Sequence, residues 1–394
     1  MHYDTIILGA GAAGMMCAIH AGGRTLVLDH AKAPGEKIRI SGGGRCNFTN
    51  LYAEPRNFIS QNPHFCKSAL SRYNQWDFID LVARHGISYH EKSRGQLFCD
   101  ISAKEIITML IKEMDMAGAE LRLRTKVHSV SRDGLLFKVE IESHGKRMQL
   151  QANNLVLATG GKSIPKMGAT GLAYDLARQF GLNTTETRPA LVPLTFSEGQ
   201  FKHLTGTSLP VCATANGVTF EEALLFTHRG LSGPAMLQIS SFWREGIDVA
   251  INLLPNADPL ATLKSHKVNQ GRKQLSSVLA QLLPSKLAEF LTQEWKISGT
   301  LADQPDTSLR GLSDRMSNWI LRPTATEGYR TAEVTLGGIS TDGLSSQTME
   351  AKSCPGLYVI GEAIDVTGWL GGYNFQWAWS SGWAAGQAIS RKKI

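Results

Sequence analysis

Three patterns that would place this protein in a specialised class are missing from its sequence. The 394 residues include only six cysteines, and no two of them form a CxxC pair, so neither a zinc knuckle nor a disulfide framework is predicted. No apolar run approaches the roughly 18 residues that a membrane-spanning helix needs. Residues 1–9 lead directly into a turn, without the basic stretch and apolar run of a secretory signal. We therefore expect a cytoplasmic protein with no membrane association and no metal site.

The chain carries a formal charge of +7, from 41 Lys and Arg against 34 Asp and Glu. Long-range attraction from such a balance favours anionic partners such as nucleotides or RNA. The cations are spread along the sequence, so charge alone does not identify the partner. The length is sufficient for two or three domains, and the 39 glycines indicate tight turns or close backbone approach to a ligand.

The N-terminal segment has the pattern of a βαβ unit. Residues 5–8 (TIIL) and 25–28 (TLVL) have the continuous apolar character of buried parallel strands, and residues 12–21 between them form a predicted helix. The turn that leads into this helix is Gly9-Ala10-Gly11-Ala12-Ala13-Gly14, a GxGxxG sequence. The second strand ends at Asp29.

Each glycine of this turn meets a separate structural requirement. Gly9 permits the tight turn, Gly11 lets the backbone approach a pyrophosphate, and Gly14 lets the helix pack closely on the strand. Phosphates would meet the helix N-terminus, where free N–H groups and the helix dipole favour an anion. Asp29 is placed to accept hydrogen bonds from ribose hydroxyls. The order of strand, turn, helix, strand and acid predicts a dinucleotide site.

Three later features favour FAD over NAD as the dinucleotide. Thr159-Gly160-Gly161 follows a buried strand, as in the segment that returns to the cofactor in two-dinucleotide-type flavoproteins. Gly361-Glu362, with Asp365 shortly after, follows another apolar strand, where a carboxylate can meet ribityl or pyrophosphate-linked hydroxyls. The next helix, which opens around Gly372 to Phe375, can aim its N-terminus at the flavin and stabilise the reduced anion. No second GxGxxG occurs, so NAD(P)H docks transiently, or another donor or oxygen exchanges electrons with the flavin.

Several segments carry a resemblance to a known family. They are Gly35–Ile38 (GEKI), Ser41–Asn50 (SGGGRCNFTN), Gly95–Cys99 (GQLFC), Phe226–Pro234 (FTHRGLSGP), Thr326–Arg330 (TEGYR) with Gly337–Gly338, and Asp365–Trp377 (DVTGWLGGYNFQW). Over nearly its whole length the chain resembles the bacterial BaiN/RdsA-type FAD-dependent oxidoreductases, which include aminoacetone oxidase-like flavoproteins. It departs from them at the first helix, which looks about one turn short.

The resemblance implies an α/β fold with a Rossmann-like FAD-binding domain of the two-dinucleotide-binding flavoprotein type. That domain would use residues 1–189 and 330–394. A β-barrel-like insertion would use residues 190–254 and 320–329, and a helical insertion would use residues 255–319. Composition changes near both insertion boundaries agree with this layout.

Locally, the sequence predicts separate strands at 148–152 and 155–158, and a last helix at about 375–390. It also predicts a helix starting near Ser232-Gly233-Pro234, with the serine as its cap.

The predicted cofactor-binding residues come from the glycine-rich turns, the loop after the βαβ unit and the C-terminal segment. The loop should lie over the pyrophosphate or isoalloxazine, with its backbone N–H groups facing the ligand. The set consists of Gly9, Gly11, Ala12, Ala13, Gly14, Asp29, Lys37, Ser41, Gly42, Gly43, Gly44, Arg45, Cys46, Asn47, Val127, Thr159, Gly160, Gly161, Gly361, Glu362, Asp365, Gly372, Tyr373, Asn374 and Phe375.

Two residues are candidates for catalysis. Cys46 beside a flavin could donate a proton or form an adduct, or it could be a small packing residue; Cys99 has the same two interpretations. His228 could act as general acid or base, or it could brace its turn. Arg45 could pair with a phosphate or be a surface residue. Trp369, Tyr373 and Trp377 could stack on flavin or substrate, or belong to the core.

Three functions follow as hypotheses. The first is reduction of a uridine in ribosomal RNA to dihydrouridine, which the resemblance assigns to one branch of the family. Reduced flavin N5 would deliver hydride to uracil C6, and Cys46 or His228 would protonate C5. The second is oxidation or reduction of a small amine, ketone or enone. The third is a flavin-binding partner protein without its own turnover.

Overall fold

The computed structural model describes Met1–Lys392. Lys393 and Ile394, the end of the predicted FAD-binding domain, lie outside the described residues. The chain forms two compact units, one from Met1–Arg188 with the chain from Val334 onwards, and one from Pro189–Glu333. No helix among the described residues combines the length and apolar character needed to cross a membrane.

The N-terminal part of the first unit is a mixture of strands and helices. Its elements are β1 (His2–Leu8), α1 (Ala12–Ala21), β2 (Thr25–Leu28), α2 (Glu36–Ile40), β3 (Asn47–Asn50), β4 (Phe58–Ile59), α3 (Lys67–Arg72), α4 (Gln75–Arg84), β5 (Tyr89–Glu91), β6 (Gln96–Cys99), α5 (Lys104–Met116), β7 (Glu120–Arg122), β8 (Thr125–Asp133), β9 (Leu136–Ser143), β10 (Lys146–Leu157) and α6 (Leu172–Gln179).

The middle of the chain begins with a short strand at the unit boundary and continues through the second unit. Its elements are β11 (Arg188–Ala190), β12 (Leu194–Thr195), β13 (Ser208–Ala215), β14 (Val218–Phe226), β15 (Gly230–Ser232), α7 (Pro234–Ser240), β16 (Val249–Asn252), α8 (Pro259–Gln270), α9 (Leu275–Leu282), α10 (Ser285–Glu294), α11 (Asp306–Ser317), β17 (Trp319–Leu321) and β18 (Ala325–Thr326).

The chain then returns to the first unit. Its C-terminal elements there are β19 (Val334–Leu336), β20 (Leu357–Val359), β21 (Thr367–Gly368) and α12 (Tyr373–Arg391).

The main sheet of the first unit has parallel strands in the order β7-β2-β1-β10-β20, and β9 and β8 continue it from β10 as an antiparallel meander. Strand β2 is buried along its whole length, as its apolar run predicts for a sheet covered on both faces. The Rossmann-like α/β fold predicted from the sequence is confirmed by this strand order, in which β1 lies between β2 and β10.

Strand β10 differs from its prediction. The sequence predicts two strands, at 148–152 and 155–158, whereas the structure has one strand across both. Its first half pairs with β9 and its second half pairs with β1 and β20. The polar pair Asn153-Asn154 that suggested a break lies within the strand, and the Asn154 amide donates a hydrogen bond of 3.1 Å to the Asp4 carbonyl oxygen.

Helix α1 packs on α12 through small residues. A Cβ at Gly382 would lie 2.5 Å from the Ala13 carbonyl oxygen, and one at Gly386 would lie 2.7 Å from the Cys17 carbonyl oxygen. The two helices therefore approach more closely than larger residues would permit. Helix α12 runs two residues earlier and one residue later than the predicted 375–390.

The second unit contains an antiparallel sheet in the order β17-β16-β13-β14-β15-β12-β18, and four helices, α8 to α11, follow one another along the chain between β16 and β17. Helix α7 starts at Pro234, as predicted, but its cap is Gly233, without a side-chain cap among the described residues. The predicted cap Ser232 instead belongs to β15, where it pairs with Leu225. Ser232 is therefore used for strand pairing in β15, although its side chain is a favourable helix cap.

Candidate cofactor site

The glycine-rich turn between β1 and α1 is built by close packing at two glycines and open space at the third. Gly9 has φ +113°, and a Cβ there would lie 2.4 Å from the Ala158 carbonyl oxygen. A Cβ at Gly14 would lie 1.9 Å from the Gly9 carbonyl oxygen, whereas one at Gly11 would meet no protein atom within 4 Å. Gly11 caps α1 without a side-chain hydrogen bond among the described residues. The helix N-terminus therefore faces a space that a phosphate can enter.

Asp29 is held rigidly at the end of β2. Its Oδ2 accepts the Ala10 N–H at 2.7 Å and its Oδ1 accepts the Ala31 N–H at 2.8 Å. The Asp29 carbonyl oxygen accepts the Thr125 N–H at 2.9 Å, which brings the start of β8, including Val127, to the same edge of the sheet. Each carboxylate oxygen keeps a lone pair for a ribose hydroxyl.

The segment after β10 carries an unpaired hydroxyl. Thr159 Oγ1 is buried and has no hydrogen-bond partner among the described residues. Because a buried hydroxyl without a partner is costly, a bound group that supplies one is expected there. Gly160 has φ +73°, and a Cβ at Gly161 would lie 2.4 Å from Thr335 Oγ1 and 2.6 Å from Glu362 Oε1. The predicted return of this segment to the cofactor therefore fits the packing around it.

Glu362 is the centre of a hydrogen-bond network that the sequence does not predict. Lys37 Nζ lies 2.6 Å from both Glu362 Oε2 and Ser163 Oγ. Ser163 Oγ donates to Glu362 Oε1 at 3.0 Å, and the Thr335 N–H donates to the same oxygen at 3.0 Å. The Glu362 carboxylate therefore joins its own segment to those of Lys37, Ser163 and Thr335. Its Oε1 has both lone pairs occupied, so only Oε2 has capacity for a cofactor hydroxyl.

Ser163 and Thr335 are the members of this network that sequence analysis missed. Ser163 is fully buried, and Thr335 Oγ1 accepts the N–H groups of Lys162 at 2.8 Å and Ser163 at 3.2 Å. The position of Ser163 directly after the Thr159-Gly160-Gly161 segment was the available signal. No local signal marks Thr335, since its partners Lys162 and Ser163 lie more than 170 residues before it and Glu362 lies 27 residues after it.

The loop after α2 forms a tight 3-10 turn at Ser41–Gly44, in which Gly42 and Gly43 adopt left-handed conformations. A Cβ at Gly42 would lie 2.7 Å from the Phe98 ring. Arg45 is exposed, and Asn47 lies close to Gly372, since a Cβ on that glycine would sit 2.9 Å from Asn47 Oδ1. The loop therefore brings Asn47 close to the start of α12, with Gly42 packed beside Asn47 and Phe98.

Cys46 lies beneath this loop with no exposed surface. Its N–H donates to the Ser41 carbonyl oxygen at 3.0 Å, and it adopts a left-handed conformation with φ +51°. Burial raises the pKa of the Cys46 thiol far above its ordinary value, and a hydrogen bond between the thiol and the Ser41 side chain opposes this only in part. Burial also raises the pKa of Cys99 to about 12. Both thiols are therefore neutral at physiological pH, and their burial fits the packing interpretation.

The C-terminal segment closes the site from the side of α12. A Cβ at Gly361 would lie 2.8 Å from the Ala13 Cβ, and one at Gly372, the cap of α12, would lie 2.4 Å from the Thr49 carbonyl oxygen. The Asn374 amide donates to the Gly368 carbonyl oxygen at 2.8 Å and accepts the Gly368 N–H at 2.8 Å. Asn374 therefore fixes the loop that leads into α12.

Asp365 and the aromatic residues of this segment are used largely for packing. Asp365 is buried and accepts the Gln61 N–H at 3.0 Å, and burial raises the pKa of its carboxyl. Tyr373 packs edge-on against Phe58, and Phe375 stacks on Trp379 at a centroid distance of 5.7 Å. Trp377 is buried and donates to the Gly361 carbonyl oxygen at 3.0 Å. Trp369 is partly buried against the same core.

His228 belongs to the second unit, in the turn between β14 and β15. Its side chain is exposed, while Thr227 holds the turn by accepting the Gly230 N–H at 3.1 Å. The turn is therefore formed by Thr227 and does not need the His228 ring as a brace. Among the described residues, no group of three or more His, Cys, Asp and Glu is placed to hold a metal ion.

The observations in the first unit fit an FAD: open space at Gly11, a fixed carboxylate at Asp29, and an unpaired hydroxyl at Thr159. The fold and this site define the class of protein as an FAD-dependent oxidoreductase of the Rossmann type. The chain belongs to the family described as HI0933-like protein Rossmann domain, whose model matches residues 3–388. The cofactor and the family resemblance expected from the sequence are confirmed.

Relatives with curated names match the whole chain. It is 51% identical to "Ribosomal RNA dihydrouridine synthase" of Escherichia coli K12 and 48% identical to the protein of the same name from Haemophilus influenzae Rd, with 99% of both chains covered in each case. Among solved structures, 3-ketosteroid-delta4-(5alpha)-dehydrogenase from Rhodococcus jostii RHA1 matches with a TM-score of 0.52 at 13% identity, covering 99% of this chain and 97% of that one. That last likeness shows the fold alone.

Proposed function

We propose that this protein reduces a uridine of ribosomal RNA to dihydrouridine with FAD as its cofactor. The observation that carries the proposal is the identity of 51% over 99% of both chains with a protein named for this activity. An identity of that size over full length extends across the candidate site and both units, so it supports the same chemistry and not only the same fold. The basic charge of +7 agrees with an RNA substrate.

The residues that would hold the cofactor lie in the first unit. Gly11 and the N-terminus of α1 would receive the pyrophosphate, and Asp29 would accept ribose hydroxyls. Thr159 would give its unpaired hydroxyl to the cofactor, and the N-terminus of α12 would offer its N–H groups to an anionic edge. When bound and reduced, FAD supplies the hydride for C6 of the uracil ring.

Protonation of uracil C5 needs an acid that reaches the substrate. Of the two candidates, Cys46 is enclosed on all sides and His228 is exposed. We therefore propose His228 as the proton donor and Cys46 as a packing residue that holds the glycine loop. The Cys46→Ser substitution should keep dihydrouridine formation, and His228→Asn should abolish most of it while the visible flavin spectrum is unchanged. The reverse pattern would assign the proton to Cys46.

NADH or NADPH is the proposed electron donor, docking transiently because the sequence offers no second dinucleotide turn. A ribosomal RNA substrate also implies that the protein works in the cytoplasm.

The test is a reoxidation assay with purified protein. The enzyme is reduced anaerobically with NADH, NADPH or dithionite, and ribosomal RNA transcribed without modifications is added. The proposal predicts RNA-dependent reoxidation of the flavin and new dihydrouridine detected by mass spectrometry of nucleosides. Reoxidation by a small enone or ketone but not by RNA would overturn the RNA substrate. A reducible flavin that no substrate reoxidises would favour a partner protein without turnover.

A further inference from the structure

One face of the small sheet β3-β6-β5 extends from the candidate cofactor site to the protein surface. In this sheet Phe98 pairs with Asn47 on one side and with His90 on the other. Directly paired residues of neighbouring strands point to the same face of a sheet. Asn47 lies against Gly372 at the start of α12, and Gly42 of the glycine loop lies against the Phe98 ring. The face that carries Asn47, Phe98 and His90 therefore starts beside predicted cofactor residues.

The outer end of this face is a solvent-exposed aromatic and cationic surface. The His90 ring stacks on Phe98 at a centroid distance of 6.2 Å and an angle of 18°. Its position is fixed by a 2.6 Å hydrogen bond to Asp100, yet 43% of the side chain is exposed. Lys92 Nζ lies 5.5 Å from the centre of the same Phe98 ring, and Lys92 makes no ion pair within the described part of the chain. One face of the fixed His90 ring and the Lys92 ammonium group, which has no ion pair among the described residues, therefore meet the solvent.

The hairpin that carries these groups is held rigidly. The Asn50 amide donates to the Arg94 carbonyl oxygen at 3.1 Å and to the Gly371 carbonyl oxygen at 2.9 Å, which joins the hairpin tip to the loop before α12. Gly95 has φ +76°, and a Cβ there would lie 2.6 Å from the Tyr52 ring. Arg94 and Tyr52 are both exposed beside the tip. A preorganised surface of this kind loses little conformational freedom when a ligand binds.

We propose that this face, from Asn47 and Phe98 to His90 and Lys92, binds the RNA strand on one side of the target uridine. This inference rests on the proposed function. Single-stranded RNA is bound by stacking its bases on exposed rings and by pairing its phosphates with Lys and Arg. The His90 ring offers the stacking surface for a neighbouring base, and Lys92 offers charge to the phosphates. The face leads this strand towards the start of α12, where the cofactor residues lie.

The test compares His90→Ala, Lys92→Gln and the double variant with a matched control. The control is Lys146→Gln, which removes an exposed lysine that starts β10 after the β9–β10 hairpin turn of the same unit and has no ion pair among the residues described. Binding of a fluorescein-labelled oligouridylate to the FAD-loaded protein is measured by anisotropy over a range of salt concentrations. All substituted side chains are exposed, so folding should be retained, and the visible flavin spectrum and the melting temperature check it.

His90→Ala should weaken binding roughly 10-fold, as expected for the loss of one stacked base. Lys92→Gln should lower the slope of log affinity against log salt by about 0.7, the value for one phosphate contact on a single strand. Lys146→Gln should bind as the wild type does. Equal binding by the double variant and the wild type would overturn the RNA-binding face.

Dihydrouridine formation in unmodified ribosomal RNA separates this inference from the proposed function. If the wild type forms dihydrouridine and the double variant forms it equally fast at limiting RNA concentration, the proposed RNA-binding role of this face is refuted and the proposed function stands. If the wild type forms none, the proposed function fails, and the face is decided by the oligouridylate comparison alone.

Discussion

Replacement of Gly11 by alanine should separate cofactor binding from folding. Gly11 has φ −85° and ψ −171°, a conformation that alanine adopts without strain. A methyl group there meets no protein atom within 4 Å. Alanine gains about 0.4–1 kcal/mol by reducing the freedom of the unfolded chain, and it loses about 1 kcal/mol because it is a poorer helix cap than glycine. The apoprotein should therefore unfold within about 1 kcal/mol of the wild type.

The effect on FAD should be much larger. The added methyl group occupies the space through which a phosphate would reach the N–H groups at the start of α1. A hydrogen bond to a charged group contributes about 1.5–3 kcal/mol, so loss of one or two should cost about 3 kcal/mol. That free energy corresponds to an increase of roughly 100-fold in Kd for FAD.

Gly14→Ala is the matched comparison. A methyl group at Gly14 would lie 1.9 Å from the Gly9 carbonyl oxygen, so it must displace backbone between β1 and α1. Overpacking of this kind costs about 1–3 kcal/mol or more, and the apoprotein of this variant should be clearly destabilised.

The assay is removal of the flavin, followed by denaturant unfolding of the apoprotein and titration with FAD by fluorescence quenching. Tight FAD binding by Gly11→Ala would refute the assignment of this turn to the pyrophosphate. A large loss of apoprotein stability in Gly11→Ala would instead show that the space in front of the turn is filled by protein.

Three further predictions concern titration, thiol reactivity and the network around Glu362. Burial lowers the pKa of His20, in the last turn of α1, to about 4. As pH falls, the His20 imidazole therefore takes up its proton in the unfolded state before it does so in the folded state. The free energy of unfolding should fall by about 2 kcal/mol as pH drops from 6.5 towards 4. Denaturant unfolding of wild type and His20→Gln across this range should show a smaller loss in the variant, and parallel profiles would contradict the burial argument. With Ellman's reagent, Cys212 should react first in the folded protein because the other five thiols are buried. Rapid labelling of Cys46, located by mass spectrometry, would show that its loop opens. Glu362→Gln should lower the free energy of unfolding by about 1 kcal/mol. The effect is small because Lys37, the ion-pair partner of Glu362, is partly exposed and solvent screens the pair. Equal melting temperatures of wild type and variant, with equal FAD affinity, would show that the carboxylate charge is not needed.

The sequence alone determined the βαβ unit and the positions of its glycines. These features depend on residues that are close together in the chain: an apolar run of four residues, a turn whose glycines permit tight backbone packing, and an acid at the end of the second strand. Local sterics and hydrogen bonding decide such patterns. For the same reason the start of α12 was predicted within two residues. The helix follows Gly372, whose φ of +95° is a cap conformation that glycine adopts readily.

Tertiary structure decided which residues meet. Strand β10 continues through Asn153-Asn154 because two different sets of neighbours pair with its halves. Glu362 binds Lys37 across 325 residues of sequence, and Ser163 across 199. Cys46 is enclosed because its loop packs on Phe98 and accepts, at Gly44, a hydrogen bond from Ala103, the cap of α5. The periodicity of a single segment contains no information on such partners, because the free energy that selects them comes from burial and hydrogen bonds between segments distant in the chain.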